Sequence, residues 1–141
     1  KPRNPKHGIL TAKTTGLLLW YGGLIAAATL SSFGIGLRTD AATASTMAFA
    51  TLSLARLFHG FNCRSERPLR EIGISSNKWS IAAFGTGVAL LALVLFVPFL
   101  EKLFLVAPLT GTQVGTIGLL ALAPTVIIQI GKEIRHCRHG R

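Results

Sequence analysis

TTGLLLWYGGLIAAATLSSFGIGL, residues 14 to 37, holds no charged side chain. Its apolar residues show no alternation of period two, so it reads as a helix rather than a barrel strand. Three more runs of this kind follow, at about 41–62, 79–100 and 112–131. Each is roughly 20 to 24 residues, which as a helix reaches about 30 to 36 Å, enough to cross a bilayer's hydrocarbon core. The first, third and fourth are uncharged, and the second holds Arg56 alone. The sequence therefore predicts an all-α membrane protein, a single transmembrane domain over residues 1–141 with four transmembrane helices.

The charges support this reading. Half of the 141 residues are apolar, yet 15 are Lys or Arg against 5 Asp or Glu. A soluble domain scatters its charges over its surface, whereas here they sit in blocks between long neutral runs. Lys1, Arg3, Lys6 and Lys13 precede the first run. Arg64, Arg67, Arg70 and Lys78 stand between the second and third, and Lys132, Arg135, Arg138 and Arg141 follow the fourth. The other two loops hold only Arg38 and Lys102, beside Asp40 and Glu101. Cytoplasmic loops collect Lys and Arg, so both termini are expected in the cytoplasm, with Asp40 and Thr110 outside. Nucleic-acid binding is excluded, because the basic residues flank apolar spans and leave no basic face.

The first run is too long for a signal peptide and is followed by no small-residue cleavage site. The opening Lys1-Pro2-Arg3-Asn4-Pro5-Lys6-His7-Gly8 reads as a linker, and an origin in a longer chain is expected. Cys63 and Cys137 both fall on the expected cytoplasmic side, where thiols stay reduced, so no disulfide is expected. His136, Cys137 and His139 lack a second ligand cluster and sit in a basic tail facing lipid headgroups, so no metal site is expected.

Helices associate in lipid through close packing of small residues. The first run carries two such rows, Gly22, Gly23, Ala26, Ala27 and Ser31 on one side and Ala28, Ser32 and Gly36 on another. Neighbours on two sides are expected. The second run is the unusual one, with Thr43, Ser45, Thr46, Thr51, Ser53, Arg56, His59 and Asn62. Thr46, Ser53, Arg56 and Gly60 can share a face, with Phe49 between them. An Arg within the membrane costs about 2.5 kcal/mol or more unless solvated or paired. Arg56 is nearer the cytoplasmic interface, but helical side chains lean toward the helix N-terminus, which is the outer end here. No Asp or Glu lies within the four runs, so a carboxylate partner has to come from elsewhere. The candidate ion-site residues are accordingly Arg56, Ser53, His59 and Asn62. No phosphate-cradling loop, Ser/His/Asp arrangement or carboxylate pair occurs, so no catalytic residue is assigned.

One stretch is specific. Thr46-Met47-Ala48-Phe49-Ala50-Thr51-Leu52, then Leu57-Phe58-His59-Gly60-Phe61-Asn62-Cys63-Arg64-Ser65-Glu66-Arg67, resembles the eighth transmembrane helix and following loop of P-type cation-transporting ATPases, above all their bacterial calcium-pump-like branch. Pro2 to Leu10 resembles the loop after the sixth helix, and Gly22-Gly23 to Thr29 the glycine-rich seventh. Ser76-Asn77-Lys78 resembles the opening of the ninth, with Val97-Pro98-Phe99-Leu100 and Ala107-Pro108-Leu109 before the tenth. The resemblance implies the C-terminal transmembrane domain of an ATP-driven cation pump, with Ca2+ as the expected ion. It implies a scaffold for the ion-binding helices and one wall of the ion site. It also implies ATP and Mg2+ for the intact pump, with the preceding helices, the cytoplasmic domains and membrane lipid as partners. At the position of Arg56, sarcoplasmic-reticulum-type calcium pumps carry a Glu ligand and many relatives a Gln, so Arg56 is a departure. Gln129 is another, where the family often has an acid. Two other classes fit a four-helix membrane chain: a self-contained transporter or channel component, and a structural membrane subunit. Small exporters of this size need a carboxylate in the membrane, and these runs hold none.

Overall fold

The computed structural model describes residues 12–62 and 78–139. Five helices make up this part: α1 (Ala12–Gly36), α2 (Ala41–Asn62), α3 (Lys78–Phe96), α4 (Pro98–Phe104) and α5 (Gly111–His139). No strand occurs among the described residues, in keeping with an all-α fold. Thr14–Gly36 of α1, Lys78–Phe96 of α3 and Gly111–Ile134 of α5 are long and apolar enough to cross a membrane. α2, at 22 residues, is long enough, but its hydroxyls, Arg56 and His59 dilute its apolar character.

α1 and α2 form an antiparallel hairpin joined by the short turn 37–40. Gly36 is buried where the two helices meet, and a Cβ there would stand 2.5 Å from the Ala44 Cα. That atom is backbone and cannot move aside, so the approach requires Gly. Asp40 starts α2, accepting hydrogen bonds from Thr43 N at 2.7 Å and Thr43 Oγ1 at 2.8 Å. These satisfy one of the amides that a helix start leaves unpaired. Farther along, the buried Ser32 Oγ donates to Met47 O at 3.2 Å and accepts from Thr51 Oγ1 at 2.7 Å. Each hydrogen bond between helices in a membrane contributes on average about 0.6 kcal/mol. At the other end of the hairpin the Tyr21 and His59 rings meet edge to face, 5.5 Å between centroids.

α5 runs alongside α2. Ile117 packs with Met47 and Ala50, and Ala121 with Ile25 and Ala55. α3 lies on another side of α2, through Leu91 and Leu95 near the start of α2 and Phe84 against Phe58 near its end. α2 is thus the central helix, flanked by α1, α3 and α5.

The apolar run at 79–100 divides into two helices. Val97, in extended conformation (φ −95°, ψ 115°), precedes Pro98, whose ring disfavours helix at the residue before it. α3 ends at Phe96, and Pro98 takes the first position of α4, where its missing N–H costs nothing. α4 ends at Leu105, which has left-handed backbone (φ 53°, ψ 39°). The chain then turns inward: Val106 and Leu109 pack against the cluster of Met47, Leu95 and Ile117. Thr110-Gly111-Thr112-Gln113 opens α5 as a reciprocal cap. Thr110 N donates to Gln113 Oε1 at 2.8 Å, and Gln113 N to Thr110 Oγ1 at 3.4 Å. Pro124 is buried within α5, which continues past the 112–131 run to His139.

Candidate functional site

The polar residues of α2 divide by what lies beside them. Thr43, Thr46 and Thr51 are buried, and each has a partner. Thr46 Oγ1 donates to Ala42 O at 2.9 Å and accepts from the Ala107 N–H at 2.9 Å. It ties the α4–α5 connection to α2, a role its place in a polar stripe did not disclose. The only sequence signal for it is that a chain returning to the bundle core exposes amides that need acceptors.

Ser53 and Arg56 lie farther along the helix. A groove of about 370 Å³ runs between α2 and α3, lined by Phe49, Ser53, Arg56 and Leu57 on one wall and by Gly87, Leu90, Leu91 and Val94 on the other. Ser53 is half-buried and Arg56 exposed. Gly87 lets α3 come close: a Cβ there would stand 2.5 Å from Leu57 Cδ2. The wall is therefore apolar apart from one hydroxyl and one guanidinium, and it contains no carboxylate. A fixed positive charge in an apolar cleft favours an anionic group and opposes a cation in the same space.

His59 does not line that groove; its ring packs against Tyr21 of α1. Asn62 ends α2, and its side chain lies outside the described residues. Of the four candidate ion-site residues, the structure brings together Ser53 and Arg56. Leu57 and Gly87, which narrow the groove, were not singled out from sequence; the small-residue spacing of Ala83 and Gly87, four apart in an apolar run, is the signal that could have pointed to Gly87, and none points to Leu57. A second cleft, of about 230 Å³, opens between the start of α2 and Phe104, Leu105 and Val106.

The small-residue face of α1 is open. Gly22, Gly23, Ala26 and Ala27 are exposed, and a Cβ added at Gly22 or Gly23 would meet nothing within 4 Å. Among the described residues no group of three or more His, Cys, Asp or Glu could hold a metal ion. Cys63, the Arg64-Ser65-Glu66-Arg67 loop and the Lys1–Leu10 opening lie outside the described residues, as do the side chains of His136, Cys137 and His139.

The sequence model of the family described as "Cation transporting ATPase, C-terminus" matches residues 1–134. A calcium-transporting ATPase of Bacillus subtilis is 35% identical over 132 residues, covering 91% of this chain and 15% of that protein. Calcium-transporting ATPase 1 of Bacillus cereus is 30% identical over 151 residues, 94% of this chain and 17% of its own length. Calcium-transporting ATPase lmo0841 of Listeria monocytogenes is 32% identical over 142 residues, 96% and 16% respectively. The chain thus spans about a sixth of the length of the curated relatives it matches.

Proposed function

This chain belongs to the family of cation-transporting ATPase C-terminal domains and is a multi-pass membrane domain, and from that premise we propose that it forms the last membrane part of an ATP-driven calcium pump. It scaffolds the ion-binding helices and supplies one wall of the ion site. Its partners are the preceding helices and cytoplasmic domains of the same pump, together with membrane lipid. ATP and Mg2+ act in those other domains.

Four helices cross the membrane in this reading, with both ends in the cytoplasm. Support for the crossing of α2 comes from its pairing with α1 along the whole hairpin, from Gly36–Ala44 to Tyr21–His59. The Thr43, Thr46 and Thr51 hydroxyls of α2 are buried and hydrogen-bonded, which makes them tolerable there. The orientation follows from the Lys and Arg distribution. Cysteines placed at positions 40 and 110 should react with an impermeant reagent from outside sealed cells, and one at position 78 should not. Reaction at 78 overturns the orientation.

The observation that carries the ion-site reading is the groove that Ser53 and Arg56 share. The Arg56 guanidinium occupies space where a relative binds a second cation, and it pairs with a carboxylate from a preceding helix. At an effective dielectric near 20, two like unit charges about 4 Å apart repel by several kcal/mol, which excludes the second ion. The test is ATP-driven Ca2+ uptake by the full-length protein in sealed vesicles, with the ions moved per phosphate released. Uptake with fewer ions per ATP than a Glu-bearing relative is expected. No ATP-dependent uptake overturns the pump reading; two ions per ATP with Arg56 present overturns the role of Arg56.

A further inference from the structure

α3 has 19 residues, so it reaches about 28 Å, close to the thickness of a bilayer's hydrocarbon core. Trp79 stands exposed at its start, as Trp does at membrane boundaries. The other end of α3 is therefore at the opposite boundary, and Pro98–Leu105 lies at that level. The segment does not rise away from the bundle. Beyond it, the Ala107 N–H reaches Thr46 Oγ1, more than one turn inside α2, and Val106 and Leu109 rejoin the core.

What this segment shows to its surroundings is apolar. Phe99 is 74% exposed, Leu103 66% and Leu105 86%, with Phe104 also more than half exposed. This surface continues the outward side chains of α3, Leu90, Leu93 and Phe96. Glu101 and Lys102 cancel in formal charge, so nothing selects a charged protein partner. Leu105 adds an independent argument. Its left-handed backbone is one that chains normally give to Gly, and the Leu side chain there is almost wholly uncovered by this chain. An apolar medium outside the chain gives that side chain a place to be buried.

The geometry points to lipid: Pro98–Leu105 is an interfacial anchor, seated at the headgroup–acyl boundary of the leaflet at the far end of α3, with Phe99, Leu103, Phe104 and Leu105 among the acyl chains. The anchor holds the α3–α5 connection at the depth at which Ala107 meets Thr46. It rests on the membrane location of the chain and not on which ion is moved or on the role of Arg56.

The test uses the full-length protein in vesicles of phosphatidylcholine and phosphatidylglycerol, with photoreactive benzoylphenylalanine at position 103 or 105. Both positions are exposed, and each labelled protein is first checked for the elution profile of the unlabelled one. Irradiation and mass spectrometry should find phospholipid adducts at both. Crosslinks to another segment of the protein in place of lipid, or no adduct at either position, overturn the proposal. Leu105→Trp gives a second reading. Lipids brominated on their acyl chains should quench the fluorescence it adds, and unchanged added fluorescence rejects the anchor.

Discussion

α1 carries two rows of small residues, and they meet opposite fates. Ala28, Ser32 and Gly36 are buried, Ser32 and Gly36 against α2. Gly22, Gly23, Ala26 and Ala27 are exposed. The serines follow their rows. Ser32 Oγ bonds across to Met47 O, whereas the exposed Ser31 Oγ turns back to Ala27 O of its own helix at 2.8 Å. Small residues permit close approach, but a cross-helix hydroxyl partner and a backbone at contact distance are what reveal that the approach happens. Among the described residues the open row has neither, which is the condition expected of a surface made for a further helix.

The sharpest way to break this comparison is to add one methyl group to each row. Gly36→Ala places a Cβ 2.5 Å from the Ala44 Cα, so the hairpin has to part at its tightest point. A loss of about 1–3 kcal/mol or more is expected, read as thermal unfolding of the 141-residue chain in detergent. Gly22→Ala meets nothing within 4 Å and should leave the same transition in place. Equal losses would mean that both rows pack within the chain.

Gly22→Leu sharpens the other half. If the open row receives a preceding helix of the same pump, the bulky side chain should cut transport by the full-length protein severely and scarcely change unfolding of the 141-residue chain. Damage of equal size in both would place the partner inside this chain.

How far these surfaces were legible in sequence depends on the range of the forces involved. Helical runs, the block pattern of charge and both small rows are local features, and they appear in the residues themselves. Which row meets α2 is settled by the turn at 37–40 and by Ser32, Met47 and Thr51 finding one another across two helices, which no run of hydropathy contains. Reading the third run to Leu100 let hydropathy outweigh Pro98, although its effect on Val97 ends α3 at Phe96. The candidate site divided in the same way. Ser53 and Arg56, three residues apart, share the groove because the helical repeat puts them there. His59 is also three residues from Arg56 but goes to Tyr21, a partner supplied by the return of α1.

Arg56→Gln probes the groove as a third open surface. Arg56 is exposed, so the substitution should alter unfolding of the 141-residue chain little. If Arg56 pairs with a carboxylate of a preceding helix, in the full-length protein the substitution should loosen that carboxylate and weaken Ca2+-dependent activity by a few-fold. A large loss of stability in the chain alone would show that Arg56 is held by groups within it, and would move it from the open surfaces to the paired ones.

The smallest effect is expected at the turn that joins the paired row to α2. Asp40 is exposed there, and hydrogen bonds from the Thr43 backbone N–H and then the Thr43 hydroxyl favour its charged form, holding its carboxyl below the ordinary value of 3.8. A folded pKa below the unfolded one stabilises the fold above the ordinary value, and the contribution fades as pH falls through the lowered one. Asp40→Ala should therefore unfold slightly more readily than the parent chain at neutral pH, and the gap should close as the medium is acidified below 3.8. Unfolding of both proteins, followed in detergent over descending pH, gives the comparison. A gap that persisted in acid would mean that Asp40 acts through contacts of its uncharged form. If Asp40→Ala opened the hairpin as fully as Gly36→Ala, the turn rather than the Gly36–Ala44 contact would hold the paired row in register.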